Sequence, residues 1–234
     1  MDVRNKKAVI FGGTSGIGLA TSKQLVALGA SVLAVSRNPD RAGEVPDGMT
    51  LAECDVLDRA AVDSLLAEQA PIDILVSAAT GGSRSMGPFL EMDLDGYQGS
   101  FDKLWGYANV VRFGGHHLSD DGAIVLVSGT PARRPKAGQI SLSTVGAAVE
   151  ALVRAVAPEI APRRINVVSP GSIDTPINPL QGAEREKSYK AGTAGHLIPR
   201  AGTAGEVASA ILLCIQNDFM TGTTIDVDGG WLLS

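Results

Sequence analysis

Residues Phe11 to Gly18 read Phe-Gly-Gly-Thr-Ser-Gly-Ile-Gly, between an apolar run, Ala8–Phe11, and a helix-patterned stretch, Ile17–Leu28. A strand that turns at once into a helix needs glycines there, because their bare backbone bends tightly and lets a phosphate approach. The following helix offers unpaired N–H groups and the positive end of its dipole. Gly12, Thr14, Ser15, Gly16, Ile17 and Gly18 therefore read as the cradle of a pyrophosphate. A glycine pattern alone is weak evidence; the position between first strand and first helix gives it weight.

The rest of the chain continues the alternation. Strands are predicted at Ala8–Phe11, Ser31–Ser36, Thr50–Asp55, Ile72–Ser77, Ala123–Ser128, Arg164–Ser169 and Thr224–Val227. Helices are predicted at Ile17–Leu28, Asp58–Gln69, Tyr97–Leu118, Ile140–Ala161 and Ala204–Gln216. Gly29 suits a helix C-terminus and Asp58 an N-cap. Hydrophobic residues make up 44% of the chain and aromatics only 4%, so Ala, Val, Ile and Leu dominate, the filling of a parallel sheet covered on both faces. The expected fold is α/β: a doubly wound, seven-stranded parallel sheet in a single domain over residues 1–234. Only Ile177–Arg200, with Pro179, Gly182, Gly192, Gly195 and Pro199, lacks strong periodicity, and it reads as a substrate lid near 177–200.

Several short stretches now carry a resemblance. The spacing Gly12, Gly16, Gly18, with Cys54-Asp55-Val56, Asp73 to Val76, Arg164 to Asn166, Pro170-Gly171 and Val227 to Gly230, resembles the short-chain dehydrogenase/reductase family over essentially the whole chain. The resemblance implies that Asp55 bonds an adenine with Val56 beside it. It also implies that Ile173 and Thr175 hold a nicotinamide carboxamide next to the Pro170-Gly171 turn. The family's Asn-Asn-Ala-Gly stands here as Ser77-Ala78-Ala79-Thr80, which keeps backbone contacts from Ala78 and Ala79 and removes the side-chain ones. After the second strand, Val35-Ser36-Arg37-Asn38 holds no acid to bond a ribose 2′-OH. The hydroxyl of Ser36 and the guanidinium of Arg37 suit a 2′-phosphate instead, so the expected cofactor is NADP(H).

The family's catalytic side chains are where the resemblance departs. Placed by their surroundings, the Ser position falls on Gly129, the Tyr on Leu142, the Lys on Gly146 and the Asn on Lys103. The only tyrosines, Tyr97, Tyr107 and Tyr189, read as remote from that helix, and no lysine lies between Lys136 and Lys187. Gly146 reads as leaving space for a lysine stem. Lys103, on a neighbouring helix about 8–10 Å away, reads as placing its ammonium there, bonding the nicotinamide ribose and serving as general acid, the alternative being a solvated helix lysine. Ser128, Thr130, Ser141 and Ser143 flank the vacated positions as weaker candidates. Arg133 and Arg134 read as surface charge or as contacts to an anionic substrate, His116 and His117 as packing or subunit contacts. His196 and Tyr189 are lid residues that can bring an acid on closure. No cluster has metal-ligand spacing.

A net charge of −5 with no basic stretch argues against nucleic acid. No apolar run reads as long enough to span a bilayer, and no signal peptide is evident, so a cytoplasmic protein is expected. Cys54 and Cys214 read as buried free thiols. Apolar and small residues on Tyr97–Leu118 and Ile140–Ala161, among them Trp105, Phe113 and Leu152, point to a homodimer or homotetramer. Three functions remain open: an NADP(H)-dependent oxidoreductase acting on a small carbonyl, imine or alcohol, a catalytically silent NADP(H) sensor or subunit, and non-redox chemistry beside a structural dinucleotide.

Overall fold

In the computed structural model, which describes residues 1–80 and 84–234, the chain alternates strand and helix. Its strands are β1 (Lys7–Phe11), β2 (Ser31–Ser36), β3 (Met49–Glu53), β4 (Ile72–Ser77), β5 (Leu118–Val127), β6 (Arg164–Pro170), β7 (Ile173–Asp174), β8 (Gly202–Thr203) and β9 (Thr224–Val227). Its helices are α1 (Gly16–Ala27), α2 (Arg59–Gln69), α3 (Leu94–Gly99), α4 (Asp102–His117), α5 (Ile140–Ile160), α6 (Gly182–Gly192) and α7 (Ala204–Gln216). Seven strands form one parallel sheet in the order β3-β2-β1-β4-β5-β6-β9. This is the doubly wound arrangement expected, and the order reverses between β1 and β4. A crevice opens there, outside the carboxyl ends of the strands.

Alternation along each strand divides the core in two. Val9, Phe11, Leu75 and Leu126 pack with Leu66 of α2, Tyr107 and Val110 of α4, and Val149 and Val153 of α5. Ala8, Ile10, Val76 and Val125 face the other way, against Leu25 of α1 and Val207 and Ile211 of α7. Both faces are buried, which is why these strands read as continuous apolar runs. Asp58 caps α2 by accepting from the Ala61 N–H, and Gly29 turns the chain after α1 at φ +90°. Cys54 and Cys214 are free and buried.

Four expectations need correction. The single helix over Tyr97–Leu118 is two, α3 and α4. Asp93 caps α3 through the Asp95 and Gly96 N–H groups, and the Ser100 hydroxyl bonds back to the Gly96 carbonyl where the path breaks. The irregular region 177–200 contains α6, a helix with no buried residue and hence no apolar stripe to read. Arg185 anchors it with hydrogen bonds to Asp174 and to the carbonyls of Thr175 and Asn178. β7 and β8, two residues each, escape any periodicity argument. Finally, α5 is long and apolar enough by length and composition to cross a membrane, with mean hydropathy 1.5. Here one face of it lies buried on the sheet through Val145, Val149, Val153 and Ala157.

Candidate functional site

A cavity of about 1110 Å³ lies over the reversal point, running from the end of β2 past the β1–α1 turn to the facing ends of β5, α4 and α5. Its floor is built from the glycine turn. Gly12 sits at φ +76° and donates to the Val35 carbonyl at 2.7 Å, while Ala78 N–H donates to the Phe11 carbonyl at 2.9 Å. A Cβ on Gly12 would lie 2.7 Å from Ala79 N, and one on Gly18 only 2.1 Å from the Gly12 carbonyl oxygen. The turn is closed too tightly for any side chain at those two positions. Ser15 is extended at the N-cap of α1 and makes no side-chain cap hydrogen bond, so α1 presents its first-turn N–H groups to the cavity.

At the β2 end, the Thr14 hydroxyl donates to Ser36 Oγ at 2.8 Å, and the Asn38 N–H donates to the same oxygen at 3.2 Å. With both lone pairs engaged, the Ser36 hydroxyl keeps its proton free to donate. Arg37 lines the cavity here, and so does Arg41, which the sequence reading missed because it sits on a 3-10 turn, Pro39–Ala42. Asp55 and Val56 line the cavity beyond β3, where the Asp55 carboxylate accepts from the Leu57 N–H. Asn109 was also missed. Its buried amide donates to the Val56 carbonyl at 2.9 Å, and the bare Gly106 lets α4 close on Val56, where a Cβ would meet Val56 Cγ2 at 2.5 Å.

The opposite end holds Lys103. Its Nζ donates to the Ser128 carbonyl at 3.4 Å and lies 5.4 Å from the centre of the Tyr107 ring. Burial lowers its pKa to about 7, assisted by the positive charge of Arg84. Arg84 lines the same end and has no signature that a sequence reading can use. Tyr107 is also in the lining, yet its hydroxyl donates to the Val127 carbonyl and burial pushes its pKa far above the ordinary phenol value, so it is a poor acid here. Tyr97, expected to be remote from α5, touches it: its hydroxyl donates to Thr144 Oγ1 at 3.2 Å, outside the cavity lining.

Gly129, Leu142 and Gly146 all line this end. Gly146 does not leave an open slot as expected. A Cβ there would meet Ala132 Cβ at 3.1 Å, because the 3-10 turn Thr130–Ala132 rests on the bare helix backbone. Of the serines, Ser128 and Ser141 are in the lining. The Ser128 hydroxyl donates to the buried Glu150 carboxylate at 3.1 Å and is thus committed to structure. Ser141 Oγ faces Met92 Sδ at 4.0 Å. Ser143 lies outside, bonded to the Gln139 carbonyl, and Thr130 is buried outside the lining. Pro170, Gly171, Ile173 and Thr175 form the wall beyond β6.

The remaining candidates are spent elsewhere. Arg133 pairs with Asp226 and reaches Glu150 at 3.4 Å; Arg134 stacks 4.0 Å over the Trp231 ring and bonds its carbonyl. Both arginines pin the C-terminal strand and turn, contrary to a free surface role. His196 is buried against Trp231, its pKa lowered by burial and by Lys136. His116 pairs with Arg112 and Tyr189 bonds the Ile173 carbonyl. Among the described residues no group of three His, Cys, Asp or Glu converges.

Known proteins resemble this chain in sequence and fold. A family model described as "Enoyl-(Acyl carrier protein) reductase" matches residues 12–232. A peroxisomal 2,4-dienoyl-CoA reductase of Danio rerio is 31% identical over 97% of this chain and 82% of its own. A cyclic-di-GMP-binding biofilm dispersal mediator protein of Escherichia coli K12 is 30% identical over 97% of each chain. The crystal structure of a small-chain dehydrogenase in complex with NADPH superposes with TM-score 0.83 at 28% identity, covering 98% of this chain and 100% of the other.

Proposed function

The chain belongs to the short-chain dehydrogenase/reductase family, and from that premise we propose that it is an NADP(H)-dependent oxidoreductase of small carbonyl, imine or alcohol substrates that uses Lys103 as its proton donor. The observation that carries this reading is the Lys103 ammonium inside the cavity with its pKa lowered to about 7. A general acid works best with a pKa near the working pH.

The residues present fit the dinucleotide. The Gly12–Gly18 turn, closed to any Cβ, with the α1 N-terminus, suits the pyrophosphate. Ser36, Arg37 and Arg41 suit a 2′-phosphate, and Asp55 and Val56 the adenine. Backbone at Ala78 and Ala79 and the wall at Pro170, Gly171, Ile173 and Thr175 suit the nicotinamide half. Bound there, the cofactor supplies a hydride. Lys103 holds a proton at Nζ for the substrate oxygen or nitrogen, and its amine is recharged from solvent. The usual Ser, Tyr, Lys and Asn of the family are replaced here by Gly129, Leu142, Gly146 and Lys103. The segment 177–200, with α6, covers the substrate side.

Calorimetry tests the cofactor. NADPH should bind more tightly than NADH, and Arg37→Ala should weaken NADPH by about 1–3 kcal/mol while sparing NADH. Equal affinities in the wild type would remove the assignment. A silent sensor is the second reading, favoured by the replaced catalytic positions and by the likeness to a protein named as a nucleotide-binding mediator. For assembly we infer a homodimer or homotetramer, supported by exposed Trp105 and Leu94 in a shallow apolar groove with Phe101 and Leu104. Light scattering at micromolar concentration should give at least twice the monomer mass; a monomer would refute it.

A further inference from the structure

The substrate end of the cavity carries two cations and, among the described residues of its lining, no carboxylate to neutralise them. Arg84 and Lys103 both line it, close enough for the charge of one to depress the other. Among the described residues neither has a carboxylate partner. Among the described residues the one hydrogen bond of Lys103 goes to a carbonyl, and Arg84 is in no ion pair. The three residues before Arg84 are Gly81, Gly82 and Ser83, so no acid stands there either. Among the described residues the one carboxylate in the lining is Asp55, beyond β3 at the other end. Other arginines at this end of the sheet do meet carboxylates: Arg133 meets Asp226 and Glu150, and Arg185 meets Asp174. Two like charges held together without a counter-charge cost stability, unless a ligand brings the missing charge.

We propose that Arg84 and Lys103 together receive an oxyanion of the substrate, so that the compound turned over here carries a carboxylate or phosphate close to its reacting carbonyl or imine. The inference rests on the oxidoreductase reading and names its substrate class. A guanidinium presents two parallel N–H groups that fork onto an oxyanion, and it keeps its charge at any working pH. The anion also acts on the acid. Lys103 is faced by Arg84 from the β4–α3 connection, by Tyr107 from its own helix and by the Ser128 carbonyl at the end of β5. From α5 it faces Ser141, Leu142, Val145 and Gly146, none of which titrates near neutrality. Glu150 of α5, buried behind the Ser128 hydroxyl, is already paired with Arg133 and Arg154, so a bound oxyanion is what brings negative charge to the cavity side of Lys103. It draws a proton onto Lys103 as it binds, so substrate arrival loads the proton donor.

The test uses protein saturated with NADPH, whose binding is followed separately by its fluorescence. The probes are 2-oxobutyrate against its methyl ester, and dihydroxyacetone phosphate against dihydroxyacetone. Calorimetry should show at least one anionic member binding about 10- to 100-fold more tightly than its neutral partner, the worth of a charge-assisted hydrogen bond. The arm that shows the preference distinguishes carboxylate from phosphate. Arg84→Gln should cut the preference by about fivefold or more, leaving the share that Lys103 carries, and Arg84→Lys should restore part of the difference. Repeating the titration in buffers of different ionisation enthalpy at pH 7.5 should reveal uptake of a fraction of a proton, lost in Lys103→Met. Parity in the wild type, a preference undiminished in Arg84→Gln, or no binding of either anion at millimolar concentration while NADPH binds would each overturn the inference alone. Failure of NADPH itself to bind would take the oxidoreductase reading with it.

Discussion

Replacing Lys103 with Met is expected to lower turnover by about 10²–10⁴, the usual worth of a positioned general acid, while the folded protein becomes more stable. The two effects share one cause. Lys103 is held neutral more readily than in water because burial penalises its charged form. Its pKa falls from 10.5 to about 7, so in the folded state it binds protons more weakly than in the unfolded chain. The sign follows: below pH 10.5 the unfolded state gains by protonating this amine, and the penalty on folding grows as pH falls toward 7. Met keeps the unbranched stem that fills the gap between α4 and β5 and removes the penalty, so the melting temperature at pH 7.5 should rise. Reduction of a neutral carbonyl by the wild type should fall as pH climbs through about 7, because the ammonium that donates the proton disappears. A Met variant matching the wild type in rate would remove Lys103 from the chemistry. A variant with no turnover beside an equally silent wild type, and with weakened NADPH binding, would favour the sensor reading.

The residues that carry the cofactor reading were legible because their chemistry is local. Gly12, Gly16 and Gly18 announce a turn whatever else the chain does, and the missing acid after Val35 is visible in four consecutive letters. The doubly wound parallel sheet followed from alternation and right-handed crossovers. Other features depend on where distant segments meet. Arg84 and Asn109 acquire meaning only once α4 lies across the sheet, and Arg133 and Arg134 look like free charge until the C-terminal turn brings Asp226 and Trp231 to them. Gly146 misled for the same reason. An absent side chain reads as empty space, yet the neighbouring 3-10 turn moved into it. Helix α6 escaped because an exposed polar helix held by one arginine carries no apolar period.

Gly18→Ala should be the most damaging single methyl that can be added to the phosphate cradle. The new Cβ would lie 2.1 Å from the Gly12 carbonyl oxygen and 2.7 Å from its carbon. Both are backbone atoms, and Gly12 is itself fixed by its hydrogen bond to the Val35 carbonyl and by Ala79 packed 2.7 Å from where its own Cβ would be. No rotamer relieves the contact, so either α1 must pull away from β1 or the turn must open. Overpacking of this kind costs about 1–3 kcal/mol, and in a chain of this length each kcal/mol lowers the melting temperature by about 2–4 °C. The cofactor should suffer more than the fold. The same displacement moves the α1 N–H groups away from the pyrophosphate, and an error of about 1 Å in a positioned group costs roughly 10²-fold. Gly115→Ala is the matched control. Gly115 lies inside α4 with nothing within 4 Å of an added Cβ, so the methyl costs no contact and relieves the helix of glycine's entropy. That variant should gain about 0.5–1 kcal/mol and bind NADPH unchanged. Thermal melts and NADPH titrations of the two variants should therefore move in opposite directions; a Gly18→Ala protein that binds NADPH as the wild type does would show that this turn is not where the phosphates sit.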